Sequence, residues 1–286
     1  MVNHRLSAQI DKLKTAVEQA EAIIIGAGSG LSAASGLCYD DFDFFDALFP
    51  QYYEHYSLRS INESTLYQFT TVEEQYAFWT RYIFFIRYNY PAGRPYQDLY
   101  RVISGKPHFI LTANTDGQFL KSGFNPEIIC ALQGDYAFFQ CSRPCNNAIY
   151  DNKHMILTMF SNIMDDAFSV PSECIPRCPD CGSPLIPNIR NSGVFVEKPW
   201  LEKYRELTGL IHANSGKNIL LLELGAGINT PGIIFDLFEQ ILQQEHGALI
   251  RINLNVNNLP RLSHAGNAVT IQGGIGIVLA ELAKNY

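Results

Sequence analysis

The chain has 286 residues, 47% of them hydrophobic and 17% charged, enough to bury a sizeable core. Its net charge of −7, with 21 basic and 28 acidic residues and no run of five basic ones, disfavours nucleic acid or an anionic membrane as the main partner. The opening residues lack the continuous apolar run of a secretion signal, no apolar run approaches a bilayer span, and the seven cysteines are odd in number. A cytoplasmic protein using its cysteines as thiols or metal ligands is expected.

Ile10, Leu13, Val17 and Ala20 recur at helical steps behind Ser7, which predicts an amphipathic helix capped by Ser7. The β-branched run AIIIGAG (22–28) reads as a buried parallel strand ending in glycines. HFILTAN (108–114), NILLLELGAG (218–227), LIRINLN (249–255) and AVTIQGG (268–274) repeat the pattern, and a short helix from about Ile277 closes the chain. Strands separated by helical stretches and followed by glycine turns predict an α/β fold, a Rossmann-like doubly wound parallel sheet. Two stretches break the alternation. Residues 39–100, crowded with Phe and Tyr, read as an inserted helical module packed by its rings. Residues 134–190 hold six prolines and most of the cysteines, and read as an irregular metal-binding module. The sheet then belongs to 1–38, 101–133 and 191–286, all within one catalytic domain.

The turn GAGSGLSAASGL (26–37) lets backbone approach a phosphate, and the helix start behind it offers N–H groups and a positive dipole end. By itself Gly26-x-Gly28-x-Gly30 serves a tight structural turn equally well, and its spacing is not the dehydrogenase one. Cys141-x3-Cys145 and Cys178-x2-Cys181 supply two thiolate pairs suited to a tetrahedral, structural Zn²⁺ with no open position. Cys174 is a spare, and Cys38 and Cys130 read as buried thiols. LTANTDG (111–117) sets Asn114 and Asp116 at the carboxyl end of a strand, where α/β folds place ligands, although an Asx turn uses the same residue types.

The string G-x-G-L-S-x-x-S-G-L (28–37), followed by T-x-N-x-D at Thr112, Asn114 and Asp116, resembles the nucleotide-binding turn and strand end of the sirtuins. ELGAGINTP (223–231) is similar to their second glycine turn, with Gly225-Ala226-Gly227 where G-T-S is usual, and RIN (251–253) to their strand-end Ile-Asn. The likeness runs in order from about residue 20 to 284 and is weakest in 39–100. It implies NAD as co-substrate and one structural zinc on Cys141, Cys145, Cys178 and Cys181. Ala27, Gly28, Ser29, Gly30 and Ser32 would cradle the pyrophosphate, Asn114 would face the nicotinamide-side ribose, and Asp116 would hold the carboxamide. Gln133, Gly225, Ala226, Gly227 and Asn253 would complete the cofactor contacts.

Two departures bear on the reaction. The family's deacylases carry His-Gly where this chain has Gln133-Gly134. An imidazole can take the proton of a ribose hydroxyl near neutral pH, whereas an amide can only hold that hydroxyl. Where deacylases carry V-V-x-F-G-E, this chain reads Ile189-Arg190-Asn191-Ser192-Gly193-Val194. Arg190 brings a guanidinium suited to a carboxylate acceptor or to the cofactor, and equally to a solvated loop. Both changes resemble the microbial sirtuins linked to macrodomain proteins. That likeness implies a protein ADP-ribosyltransferase with Asn114, Gln133 and Arg190 as catalytic positions. It also implies a lipoylated H-protein-like carrier as acceptor and a macrodomain protein as a further partner. An NAD-dependent lysine deacylase and a catalytically weak NAD-binding sensor are the alternatives. The family's first-turn D-F-R is blurred in CYDDFDFF (38–45), so Asp40 and Asp41 are given no role.

Overall fold

The five β-branched runs become parallel strands in the computed structural model, which describes residues 4–163, 168–190, 193–213, 216–227, 232–244, 247–256 and 268–286. The chain divides into two units, one formed by 1–35, 92–134 and 197–286 and the other by 36–91 and 135–196. Among the described residues no helix is long and apolar enough to cross a membrane.

In the first unit, β1 (Ala22–Ala27), β2 (His108–Thr112) and β3 (Ile129–Ala131) form one half of a sheet. After the strands of the second unit, β4 (Gly134–Cys141), β5 (Ile149–Asp151) and β6 (Leu185–Ile189), come β7 (Ile219–Leu224), β8 (Gly247–Asn253) and β9 (Ala268–Gln272). The order β3-β2-β1-β7-β8-β9, parallel throughout, is the doubly wound order, and it reverses between β1 and β7. β3 was absent from the sequence prediction because three residues are too few to show a period.

β1, β2 and β7 look nearly uniformly apolar because both of their faces are covered, whereas the edge strand β9 buries only Ile271. Ile23, Ile25, Leu220, Leu222 and Ile252 pack with the helices His4–Gln19, Arg94–Ile103 and Ile275–Ala283. Ile24, Leu111, Leu221 and Leu249 pack with Lys198–Ala213 and Leu237–Gln244. The first helix already contains Ser7, so Ser7 does not cap it, and the last helix starts at Ile275, two residues before the predicted Ile277.

The second unit packs Phe45, Tyr52, Tyr76, Phe78, Tyr82 and Phe139 into a separate aromatic core. Three of its helices start on side-chain caps: Asp41 accepts from the Phe44 N–H, Ser60 from the Glu63 N–H and Thr71 from the Glu74 N–H. The cysteine-rich stretch, read from sequence as irregular, contains a three-stranded sheet in the order β5-β4-β6. The three-residue β5, the proline within β6 and the scattered cysteines hid that pattern.

One charge pair lies inside the first sheet. Glu223 on β7 stands opposite Arg251 on β8, joined by bonds of 2.7 and 2.9 Å, and Arg251 also covers the Phe235 ring. Burial pushes the Glu223 carboxyl above its ordinary range while Arg251 pulls it back. Removing one partner strands the other in an apolar layer. Arg251→Met is therefore expected to cost about 3–5 kcal/mol in chemical denaturation, and adding Glu223→Leu to restore most of it.

Candidate functional site

β1 and β7 run side by side to Ala27 and Leu224 and then part. The chain turns at Gly28–Gly30 on one side and at Gly225–Gly227 on the other, so two turns face each other at the point where the strand order reverses. Their contact is backbone on backbone. A Cβ on Gly28 would lie 2.6 Å from Ala226 Cα, and one on Gly30 2.8 Å from Gly225 Cα. Gly225 itself sits at φ +61°, where glycine is favoured. The Gly28 N–H donates to Leu224 O and the Gly30 N–H to Gly225 O, each at 3.0 Å. These two donors tie the first turn to the end of β7 and the second turn. Ala226 of the second turn is buried, and Asn253 at the end of β8 donates to its carbonyl at 3.0 Å, bracing that turn. Among the described residues nothing lies within 4 Å of a Cβ on Gly227, so that side of the turn is open.

Behind the first turn lies a buried polar cluster. Ser32, on the short helix Ser29–Ala34 that starts directly after Gly28, is 2.5 Å from Asp116 Oδ2 and 3.0 Å from the Tyr96 hydroxyl. Asn114 Nδ2 reaches Gly28 O at 2.9 Å and the Tyr96 hydroxyl at 3.0 Å, and the Asn114 N–H donates to Thr112 Oγ1. Asp116 Oδ1 accepts from the Gln118 N–H at 3.0 Å. Ser32, Tyr96, Asn114, Asp116 and Gln118 are all buried. Burial first, and then the Asp116 charge, hold the Tyr96 phenol well above its ordinary range.

Gln133 follows β3, whose ladder to β2 is extended by the Leu132 N–H donating to Thr112 O. It therefore stands at the same carboxyl edge of the sheet as Asn114 and Asp116, and it is half-buried. Gly134 after it takes φ +87°, which explains the glycine.

Arg190 belongs to the second unit, directly after β6, and is exposed with its guanidinium 4.4 Å from the centre of the Phe195 ring. Asn191 and Ser192 lie outside the described residues. The segment resumes at Gly193 and is held by two buried amides. Gln140 donates to Val194 O and accepts from the Val196 N–H, while Asn188 donates to Gln140 Oε1 and to Val196 O.

In the same unit Cys141, Cys145, Cys178 and Cys181 converge. Cys141 and Cys181 sulfurs are 3.5 Å apart, as are those of Cys145 and Cys178, and all four lie within 4.8 Å of one another. A tetrahedral zinc with Zn–S near 2.3 Å needs sulfurs about 3.8 Å apart, so the set fits one Zn²⁺ closed to substrate. Ser183 draws the Cys181 thiol down to about 6, while the neighbouring sulfurs raise Cys145. A dication would deprotonate the whole set.

No family model matches the chain. A protein ADP-ribosyltransferase of Staphylococcus aureus strain Mu50 is 28% identical over 243 residues, covering 84% of this chain and 76% of that protein. A probable bifunctional ADP-ribose hydrolase/ADP-ribosyltransferase of Fusarium oxysporum f. sp. cubense is 28% identical over 289 residues. That match takes in 94% of this chain but only 46% of the Fusarium protein, so the chain spans about half of its length. Among solved structures, a Sir2 homologue in complex with NAD superposes with a TM-score of 0.59 at 20% identity, covering 96% of this chain and 93% of that one. The chain has the Sir2 sirtuin fold.

Within that sirtuin fold the glycine turns, Asn114, Asp116 and Gln133 gather along one sheet edge of the first unit, and the zinc-binding thiols and Arg190 belong to the second. Sequence reasoning missed Tyr96, Gln118, Gln140 and Asn188. Tyr96 looked like one more ring in an aromatic stretch, and the three amides carried no spacing signal. Cys174 is half-exposed and stands outside the four-thiol group. Cys178→Ser is expected to lower bound zinc from one per chain to none, and Cys174→Ser to leave it at one, as read by metal analysis after dialysis.

Proposed function

We propose that this chain is an NAD-dependent protein ADP-ribosyltransferase of sirtuin type. The observation that carries the reading is Gln133, an amide at the same sheet edge as the buried polar cluster of Asn114, Asp116 and Ser32. Bound NAD would supply an ADP-ribosyl group whose leaving group is nicotinamide. Asp116 would accept from the carboxamide, Asn114 and Gln133 would hold ribose hydroxyls, and the paired turns with Ser29, Ala27 and Asn253 would line the pyrophosphate path. An amide has no proton-accepting capacity near neutral pH, so Gln133 would orient the sugar without carrying out the base-assisted step that deacylation requires. An acceptor carboxylate needs no such base, being ionised already. Arg190, an exposed guanidinium beside Phe195, suits a group that positions that carboxylate.

The relatives' names support the transferase reading, and the NAD complex of the Sir2 neighbour supports the cofactor. The acceptor suggested by the sequence likeness is a lipoylated H-protein-like carrier. The Fusarium protein's joint hydrolase and transferase name favours an ADP-ribose-removing partner, which we take to be a macrodomain protein.

With NAD labelled on its adenine side, wild type is expected to leave label on the lipoylated carrier and release one nicotinamide per label. Asn114→Ala should slow nicotinamide release by about 10²–10³. Arg190→Ala should retain most nicotinamide release while losing label on the carrier. No label on any protein, with nicotinamide released, would refute the transferase reading.

A further inference from the structure

The buried cluster fixes its own hydrogen-bond directions, and the fixing passes through a residue with no sequence-assigned role. Gly28 O can only accept, so the Asn114 atom facing it is the nitrogen. That nitrogen places its two hydrogens on Gly28 O and on the Tyr96 hydroxyl, leaving Oδ1 as the end of the amide turned to a ligand. At the other end, the Asp116 carboxylate only accepts, so the Ser32 hydroxyl donates to it. Ser32 Oγ, its hydrogen committed, must accept from the Tyr96 hydroxyl 3.0 Å away. The chain therefore runs one way: Asn114 N–H to Tyr96, Tyr96 O–H to Ser32, Ser32 O–H to Asp116. Each link polarises the next.

The same residue closes a ring through the backbone. The Tyr96 N–H donates to Gly93 O, the Gly93 N–H to Gln118 Oε1, and the Gln118 N–H to Asp116 Oδ1. Asp116 is thus reached from Tyr96 by two routes, one along side chains and one along the loop. The ring of Tyr96 is itself held edge-on by Phe119, with centroids 4.8 Å apart, and is buried. Because burial keeps the phenol protonated, it remains a donor across the physiological range.

We infer that Tyr96 is a positioning residue: it carries the direction imposed by Gly28 O and Asp116 through the Asn114–Tyr96–Ser32–Asp116 chain and ties its two ends together, so that Asn114 keeps its carbonyl oxygen for a ligand hydroxyl while Asp116 stays aimed as an acceptor. This deepens the NAD-binding reading of the same pocket and rests on it. Without the phenol, the Asn114 amide keeps Gly28 O but loses its second acceptor, and Ser32 loses its donor, so the side-chain link between Asn114 and Asp116 is cut. Tyr96→Phe keeps the contact with Phe119 and removes only the hydroxyl.

The test is NAD affinity by calorimetry for wild type, Tyr96→Phe, Ser32→Ala and the double variant, with thermal unfolding as the control for folding. Each single change is expected to weaken NAD binding roughly tenfold. The double variant should be little weaker than the worse single, since both cut one chain. Tyr96→Phe within twofold of wild type, or losses that multiply independently, would overturn the inference. Should Tyr96→Phe fail to fold, Ser32→Thr set against Ser32→Ala poses the same question: Thr keeps the linking hydroxyl and should retain affinity that Ala loses, and equal losses would overturn the inference. Nicotinamide release in the same samples separates the two claims. Coupled loss of affinity without any nicotinamide release in wild type would sink the transferase reading and leave the Tyr96 assignment standing. Absence of NAD binding in wild type would sink both.

Discussion

Two backbone turns meeting without side chains between them govern the first unit. Gly28 and Gly30 lie against Gly225 and Ala226, and two inter-turn hydrogen bonds of 3.0 Å hold them there. Any side chain on Gly28 or Gly30 would have to displace backbone atoms, an overpacking that small movements cannot relieve. That contact sits where the strand order reverses, so the crevice that α/β sheets offer a ligand is bounded by these turns. The short helix carrying Ser32 starts from the first of them, and the Asn114 amide is anchored on its Gly28 carbonyl. Asn253 braces the other turn from β8. The polar residues of the candidate site therefore take their positions from a backbone contact.

Inside that frame the chemistry divides between groups that are committed and one that is not a base. Asn114, Tyr96, Ser32 and Asp116 form a buried directional chain, which is costly to leave half-satisfied and correspondingly specific when complete. Gln133 stands at the same sheet edge with only an amide to offer. A pocket of this kind suits holding a glycosidic donor and letting an acceptor that is already ionised react with it. The thiol set of the second unit contributes no open coordination position and so acts on stability.

Much of this was legible in the sequence, for physical reasons that differ by element. β1, β2, β7 and most of β8 were visible because burial on both faces makes them nearly continuously apolar, and β3 was not because it has three residues. The zinc thiols were visible because a tetrahedral site needs paired cysteines at short spacing. Asn114 and Asp116 could be placed just past a strand, whereas Gln133 was reached only through the sirtuin likeness, because the strand before it was not visible. Tyr96 could not be placed. Its role depends on a hydroxyl brought to Ser32 and Asn114, which lie 64 and 18 residues away along the chain, and no local pattern encodes such a meeting. The grip of Gln140 and Asn188 on the segment after Arg190 is hidden for the same reason. The hydrogen bonds of the Gly28 and Gly30 N–H groups to Leu224 and Gly225 are likewise invisible to sequence, since they join residues far apart along the chain.

The central proposal is that this site holds a sugar and that Gln133 offers it no base for acyl transfer. The most direct measurement offers NAD and an acetyl-lysine peptide to wild type and to Gln133→His, and follows the acyl group by mass. The account predicts that wild type leaves the peptide acetylated and that Gln133→His forms acetylated ADP-ribose. Removal of the acetyl group by wild type at a rate matching Gln133→His would contradict it.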